Sequence, residues 1–403
     1  MRILVHDYPG QPFQPQLSRH LAKLGHEVQH VFFADFQAPR GALTPRPDDP
    51  PGFSIRGLSL GKPFEKYNLF RRVFQEIAYG RRLAKAIGEF RPDVALAGNA
   101  PLDIQVISTK YCLRHRIPLV YWHQDIYSLA IDKILRREFS ALGAVIGARY
   151  IALEKWLLRN SDHVVTITDD FLPILTEWGT PRDRITVIEN WAAREDLSVQ
   201  PRDNPWAREH GLHDKLVFLY SGTLGLKHNP DLLLQLAKRY RDRSDVRVVV
   251  NSEGLGSDWL REHGRGLSNL VLLPFQPFER LPQVLATGDV LISVLEPDAG
   301  IFSVPSKVLT YLSAGRPVLG AIPAENLAAR IILRNEAGLI APPDDTHAFL
   351  AAAGKLAEDA ALRARLGKNA LDYAARTFDI DAITARFAGL LKRVVAEHRA
   401  ARR

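Results

Sequence analysis

One cysteine, Cys112, stands in a chain of 403 residues. No internal disulfide can form, and the absence of a Cys/His cluster argues against a structural zinc and fits a reducing compartment. Long apolar runs are also missing. The longest, ALGAVIGARYIALEKWLL, is interrupted by Arg149, Glu154 and Lys155, which excludes a membrane-spanning helix. Met1-Arg2 leads directly into the short run ILV, too short for the apolar core of a signal peptide, so a cytoplasmic location is expected. The chain has no P-loop and no G-x-S-x-G. After the first apolar run it offers DYPGQPFQ where a dinucleotide fingerprint would read G-x-G-x-x-G. A kinase or dehydrogenase reading therefore loses its main support. No repeat at a solenoid period and no low-complexity tract is found; residues 36–52, with five prolines, read as one long surface loop.

What is present is ordinary globular composition, 46% hydrophobic and 24% charged, at a length that suggests two large domains. A net charge of +8 favours an anionic partner, and nucleotide phosphates, phospholipid headgroups and nucleic acid all qualify. Short apolar runs alternate with amphipathic stretches throughout, the pattern of βαβ units on a mostly parallel sheet. In the first half the strand candidates are RILVHD, HEVQHVFF, DVALAG, PLVYWHQ, HVVTIT and ITVIEN. In the second half they are KLVFLYSG, VRVVVNS, NLVLLPF, DVLISVL, PVLGA and GLIAPP. Between them AAREDLSVQPRDNPWAREHGLHD reads as an interdomain linker. The expected division is residues 1–195 and 196–377, two Rossmann-like α/β domains, with a basic helix at 378–403 packing back on the first.

Two motifs mislead. HEVQH at 26–30 matches a zinc-protease pattern that works only on a helix. Here it lies in a run of β-formers, where His26 and His30 stand roughly 13 Å apart at ~3.3 Å per residue. Asp379 and Asp381 resemble a metal clamp, yet they open the last helix, where acidic residues are simply favoured.

Two other segments suit an anion. FSVPSKVLTYLSAGRPVLG (302–320) reads as a loop, a helix of about ten residues with Pro305 at its first position, a Gly315 terminator and a strand. Ser306 and Lys307 fall in its first turn. SGTLGLKHNPDLLLQLAKRY is a glycine-rich turn, then Lys227, then a helix with Asn229 as cap and Pro230 at the first position. Both follow strands of one sheet, so both can open on its carboxyl edge, where ligands of open α/β sheets bind. Cationic groups and glycine loops together would suit a diphosphate.

SGTLGLKHNPDLL, NSEGLGSDWL, LPFQPFERLPQVLATGDVLISVL and VPSKVLTYLSAGRPVLG come in the order and spacing of the donor domain of GT-B glycosyltransferases of family 4. LAKLGHEVQ, SDHVVTITDDF and ITVIENWAA resemble motifs of that family's first domain. The likeness covers nearly the whole chain and is strongest toward a bacterial branch that builds exopolysaccharide and O-antigen repeat units. It implies a GT-B fold, two Rossmann-like domains facing a central cleft. It also implies a retaining, metal-independent transfer of a sugar from a nucleotide-sugar, expected as a UDP-sugar, with no cofactor. Lys227 resembles the family lysine that contacts the diphosphate, although Thr223 stands where the usual arginine is found and the loop, with Gly222 and Gly225, is one residue shorter. Glu253-Gly254 takes the place of the nucleotide-pocket turn, and Phe275-Gln276 that of the segment whose backbone pairs with the base. The family's two glutamates eight apart correspond to Phe302 and Thr310. That shifts weight to the backbone of Gly300, Ile301, Phe302 and Ser303, and to Ser306 and Lys307. Glu296 and Asp298 are possible ligands of sugar hydroxyls or purely structural.

In the first domain YWHQDIY ends a strand and sets His123 and Asp125 on one side of it by alternation. Either fills the place of the family histidine near the donor sugar, and a buried structural histidine is the alternative. The family's paired N-terminal glycines are replaced around Gly10, Gln11, Pro12 and Phe13. Residues 61–91 hold eight Lys/Arg against three Glu, with an apolar stripe of Phe70, Val73, Phe74, Ile77, Ala84 and Ile87 beside Arg71, Arg72, Arg81 and Arg82. The stripe is expected to pack on the sheet, and the arginines to face an anionic membrane carrying a lipid-linked polyprenyl-diphosphate acceptor. The expected location is the cytoplasm, peripheral on the inner face of the cell membrane. The alternatives are an epimerase or phosphorylase of the same fold and a basic nucleic-acid-binding protein, against which no recognition motif appears.

Overall fold

The computed structural model describes residues 1–36, 41–65, 68–98, 100–225, 228–300 and 302–401. The chain divides into two compact units, 1–189 with 380–403 and 190–379.

The first unit alternates β1 (Arg2–Asp7), α1 (Phe13–Lys23), β2 (Glu27–Phe33), β3 (Phe53–Leu58), α2 (Leu69–Phe90), β4 (Val94–Gly98), α3 (Leu102–His115), β5 (Leu119–His123), α4 (Tyr127–Arg159), β6 (His163–Thr166), α5 (Leu172–Glu177) and β7 (Ile185–Val187). These strands form one sheet in the order β3-β2-β1-β4-β5-β6-β7. Every pairing in it is parallel. Six of the seven strands lie in the runs read from the sequence. The seventh, β3, was missed because FSIRGL is an edge strand with only partial burial and a glycine near its end. His30 lies inside β2, with His26 just before it, as expected of a strand.

The second unit runs α6 (Pro205–Glu209), β8 (Leu216–Ser221), α7 (Asp231–Arg239), β9 (Val246–Asn251), α8 (Leu255–His263), β10 (Leu270–Leu273), α9 (Leu281–Thr287), β11 (Val290–Val294), α10 (Lys307–Ser313), β12 (Val318–Ala321), α11 (Leu327–Arg334), β13 (Gly338–Ala341), α12 (Thr346–Glu358) and α13 (Ala360–Thr377). Its sheet is parallel, in the order β10-β9-β8-β11-β12-β13. Val246, Val248 and Val250 pack with Phe218, Tyr220 and the leucines of α7, so one face of this sheet is a dry core. The strand order reverses between β8 and β11, the place where open parallel sheets part at their carboxyl edge to admit a ligand.

The stretch expected to be a linker is part of the second unit. Asn204 caps α6 by accepting from Ala207 N at 3.1 Å, Trp206 is fully buried, and Arg202 pairs with Asp289 at 3.1 Å. Its polar composition hid a helix because the buried contacts come from one tryptophan and one ion pair rather than a periodic stripe. The last helix, α14 (Ile380–Ala400), returns to the first unit. Phe387 packs on Trp122 with ring centroids 4.8 Å apart, and His398 meets Asp162 at 2.7 Å. Asp381 pairs with His20 at 3.1 Å. Among the described residues no group of three or more His, Cys, Asp or Glu is placed to hold a metal ion.

Helix α4 is two helices. Phe139 and Ser140 have non-helical backbone, Ser140 with φ +46°. A Cβ on Gly143 would overlap Leu135 O, and one on Gly147 would overlap Asp132. Those partners would lie ~12 and ~22 Å apart along a straight helix. The segment therefore folds back as an αα-hairpin with residues 139–140 at its tip, its arms closely packed because both glycines lack a side chain.

Candidate active site

The glycine-rich turn after β8 is held from two sides. Gly222 has φ +130°, a conformation that L side chains rarely adopt, which is why glycine stands there. Its N–H donates to Asn251 O at 3.0 Å, tying the turn to the end of β9. From α10, the Tyr311 hydroxyl accepts from Ser221 N at 3.0 Å and donates to Ser221 O at 2.9 Å. From β8 itself, the Tyr220 hydroxyl donates to Thr223 O at 2.7 Å. Burial pushes the Tyr220 hydroxyl well above its ordinary range, with Tyr311 adding to the shift, and burial also raises Tyr311. Both stay protonated and keep the O–H that each bond requires.

Lys307 closes this arrangement. Its Nζ lies 3.7 Å from the centroid of the Tyr220 ring, donates to the Tyr220 hydroxyl and stands 3.5 Å from Thr223 O. It also comes within 3.4 Å of where a Gly222 Cβ would be. Two segments more than eighty residues apart in sequence thus place an ammonium beside a glycine turn at the carboxyl edge of one sheet. Lys227 and Ile301 lie outside the described residues. The helix expected to begin at Pro305 begins at Lys307 and is seven residues long. Pro305 and Ser306 instead accept from Val308 N and Leu309 N, each at 3.1 Å, in a tight i→i+3 entry. Pro230 likewise sits one residue before α7, and Asn229 Oδ1 accepts from Asp231 N at 3.0 Å.

Around this centre, Glu253 Oε1 accepts from Phe275 N at 3.4 Å, linking the turn before α8 to the segment after β10. Gly254, with φ +108°, lets the chain enter α8. Gln276 accepts from Trp206 Nε1 at 3.0 Å and donates to Pro274 O at 3.0 Å, so its side chain braces the segment. Glu296 is half-buried and Asp298 exposed, on the short turn after β11. Asn326 holds the two described ends of the segment that follows, its Nδ2 donating to Gly300 O at 3.1 Å and Ser303 O at 2.9 Å. Phe302, Ser306 and Thr310 are half-buried, while Ser303 is buried.

In the first unit β5 stops at His123, so alternation does not carry Asp125 onto the same face. His123 is fully buried against Tyr121 and Phe171, and its Nε2 donates to Glu154 Oε1 at 3.1 Å. Glu154, equally buried, accepts from Ser128 N at 2.9 Å through its other oxygen. The returning arm of the α4 hairpin is what brings Glu154 to the strand end. Asp125 is half-buried, and its charge, behind the larger effect of burial, helps to raise Tyr121 and Tyr127. Gly10, with φ +82°, accepts from Gly41 N at 2.9 Å, and Gln11 precedes α1, where Phe13 meets the Trp122 ring at 5.6 Å.

The basic helix α2 departs from expectation. Ala84 and Ile87 are buried, but Phe74 is 71% exposed, and the side chain of Phe70 lies outside the described residues. Arg72 turns inward to the buried Glu76 at 2.7 Å. Arg71 meets Glu65 at 3.3 Å, Arg82 donates to Ser59 O, and Arg81 is exposed. The four arginines therefore do not form a single face.

A model described as a glycosyl transferase 4-like domain matches residues 11–191, and one described as glycosyl transferases group 1 matches 215–359. Between them they take in most of the chain. The chain belongs to the family 4-like GT-B glycosyltransferases. This glycosyltransferase is 28% identical over 178 residues to WcaI of Escherichia coli (strain K12), named as a colanic acid biosynthesis glycosyl transferase. That match covers 43% of this chain and 44% of WcaI. It is 22% identical over 249 residues to the alpha-D-kanosaminyltransferase of Streptomyces kanamyceticus, covering 60% of this chain and 63% of that protein. Both matches thus span less than two thirds of the relative's length. Among solved structures, Anabaena HepE in complex with UDP superposes with a TM-score of 0.68 at 17% identity, covering 97% of this chain and all of HepE.

Sequence reasoning missed four residues of the glycosyltransferase. Tyr220 and Tyr311 were inside quoted motifs but read as ordinary strand and helix positions. Asn326 carried a cap signal, an Asn directly before the apolar helix LAARIILR. Glu154 was visible as an acid inside an apolar helix, which calls for a buried partner.

Proposed function

We propose that this glycosyltransferase moves a sugar, with retention of anomeric configuration, from a UDP-sugar to a lipid-linked saccharide at the surface of an anionic membrane. The observation that carries the reading is the convergence of Lys307 on the Ser221–Gly225 turn. In the transfer, an acceptor hydroxyl oxygen bonds to the anomeric carbon while the bond from that carbon to the diphosphate oxygen breaks. The electron pair goes to the diphosphate, which also takes the hydroxyl proton. Negative charge therefore grows on the leaving group, and a fixed ammonium beside the turn stabilises it more in the transition state than before. Lys227, by resemblance, supplies a second ammonium. Glu253 with the backbone at 275–276 would hold the nucleotide, and Asp125 is the acceptor-side carboxylate reachable from solvent.

UDP as the donor nucleotide is supported by the HepE complexes with UDP and with UDP-glucose. A surface-polysaccharide acceptor is supported by the name of WcaI. Metal independence is proposed because positive charge at the turn is supplied by lysine. Incubation with a panel of UDP- and GDP-sugars, mass analysis of products and NMR of the new linkage test the reading. Release of UDP with an α-linked product from an α-linked donor, unchanged by EDTA, is expected. An inverted product or strict dependence on magnesium would refute the mechanism. Conversion of the donor to its epimer without transfer would favour the epimerase alternative, and stabilisation by an oligonucleotide but not by UDP the nucleic-acid one.

A further inference from the structure

Four of the large exposed apolar side chains fall within twelve residues at the tip of the α4 hairpin: Ile134 (43%), Phe139 (49%), Leu142 (64%) and Val145 (70%). Their exposure follows from the hairpin itself. Gly143 and Gly147 face the outgoing arm, so at 100° per residue Leu142, Val145 and Arg149 project on the opposite side, away from that arm. Lys133, Arg136, Arg137 and Arg149 are exposed on the same two arms, against Asp132 and Glu138. Among the described residues no helix is long and apolar enough to cross a membrane. From its base at residue 127 the outgoing arm extends the tip by ~18 Å.

We propose that this hairpin tip is the membrane anchor: Phe139, Leu142 and Val145 enter the headgroup and upper acyl region of an anionic bilayer while the basic residues meet the phosphates. The inference deepens the membrane reading above and rests on it; it moves the contact from the arginines of α2 to α4. Two features select a bilayer over a second copy of the chain. The exposed apolar area is on the order of a few hundred Å², short of the ~800 Å² that each partner of a stable dimer buries. The apolar tip with a basic surround also matches the chemistry of an anionic interface, where apolar insertion and lipid charge act together.

The chain's one cysteine, Cys112, is buried and its thiol is pushed up to about 12 by that burial, so a cysteine placed on the surface can be labelled selectively. Leu142→Cys and, as a control on the second unit, Val199→Cys would each carry an environment-sensitive fluorophore. With vesicles containing phosphatidylglycerol at low salt, the label at 142 is expected to shift to the blue and the label at 199 to remain as in water. The triple variant Phe139→Ser/Leu142→Ser/Val145→Ser should float with vesicles at least tenfold less than the parent while keeping its melting temperature and its response to UDP. If the parent floats but the label at 142 stays in water, or the triple variant floats equally well, the anchor lies elsewhere and the membrane reading survives. If the parent does not float at all, the membrane reading itself fails. If the triple variant changes the molecular mass by light scattering and leaves flotation unaltered, the face joins copies of the chain and the anchor proposal is overturned.

Discussion

Replacing Lys307 by methionine keeps the length of the side chain and removes its charge. In the free protein the ammonium stands 3.7 Å from the Tyr220 ring and hydrogen-bonds that residue's hydroxyl. A cation over an aromatic face contributes ~0.5–2 kcal/mol, so unfolding should move by a few degrees at most in a unit of this size. Catalysis should suffer more. Loss of one fixed donor to a developing anion costs ~2–4 kcal/mol of transition-state stabilisation, which is roughly a 30- to 1000-fold fall in kcat. The assay is steady-state transfer beside a thermal melt, with Lys307→Arg as the variant that keeps charge and restores part of the rate. A methionine variant that turns over within about threefold of the parent would refute the assignment. A variant that melts far below the parent would instead make Lys307 a residue of the fold.

Gly222→Ala asks a side chain to adopt φ +130° within 3.4 Å of Lys307 Nζ; we expect ~1–2 kcal/mol of local strain and weaker UDP binding by calorimetry, and unchanged affinity would contradict the geometry. Glu154→Ala leaves the buried His123 ring and Ser128 N–H without their acceptor, so denaturant unfolding should show a loss of ~3–5 kcal/mol, with Glu154→Gln markedly milder; a loss below ~1 kcal/mol would mean the pair does not hold the hairpin. Asn326→Ala releases the Gly300 and Ser303 carbonyls and uncaps α11, for an expected ~2–3 kcal/mol measured the same way. Acid should unfold the first unit before the second. Burial lowers His6 and His30 from 6.5 to about 3, so both fold neutral while the unfolded chain binds protons below pH 6.5. Their contribution is therefore complete above that value and is lost as the pH falls toward 3. At pH 5 each has given up ~2 kcal/mol relative to neutrality. A calorimetric scan at pH 5 in which the two units keep their neutral-pH separation would argue against this.

Among the described residues, twelve of the thirteen strands were legible because each buried parallel strand is a short apolar run bounded by turn residues, a local signal. The glycine turn and the PSK segment were legible too, because Gly222 and Gly315 are demanded by backbone angles that the chain must adopt at those points. What the sequence did not decide is how such pieces meet. That Lys307 would rest on Tyr220, or that Tyr311 would clamp Ser221 from another segment, depends on strand order β8-β11-β12, and strand order is set by the packing of helices on both faces of the sheet. The run from 127 to 159 shows the limit most clearly. Its sequence was read only as an interrupted apolar stretch, and close packing of Gly143 and Gly147 on the outgoing arm folds it into a hairpin, which brings Glu154 to His123 and leaves Leu142 and Val145 facing water. Local propensity determined the elements; contacts between residues distant in sequence decided which side chains share a site, because those contacts form only when whole elements pack.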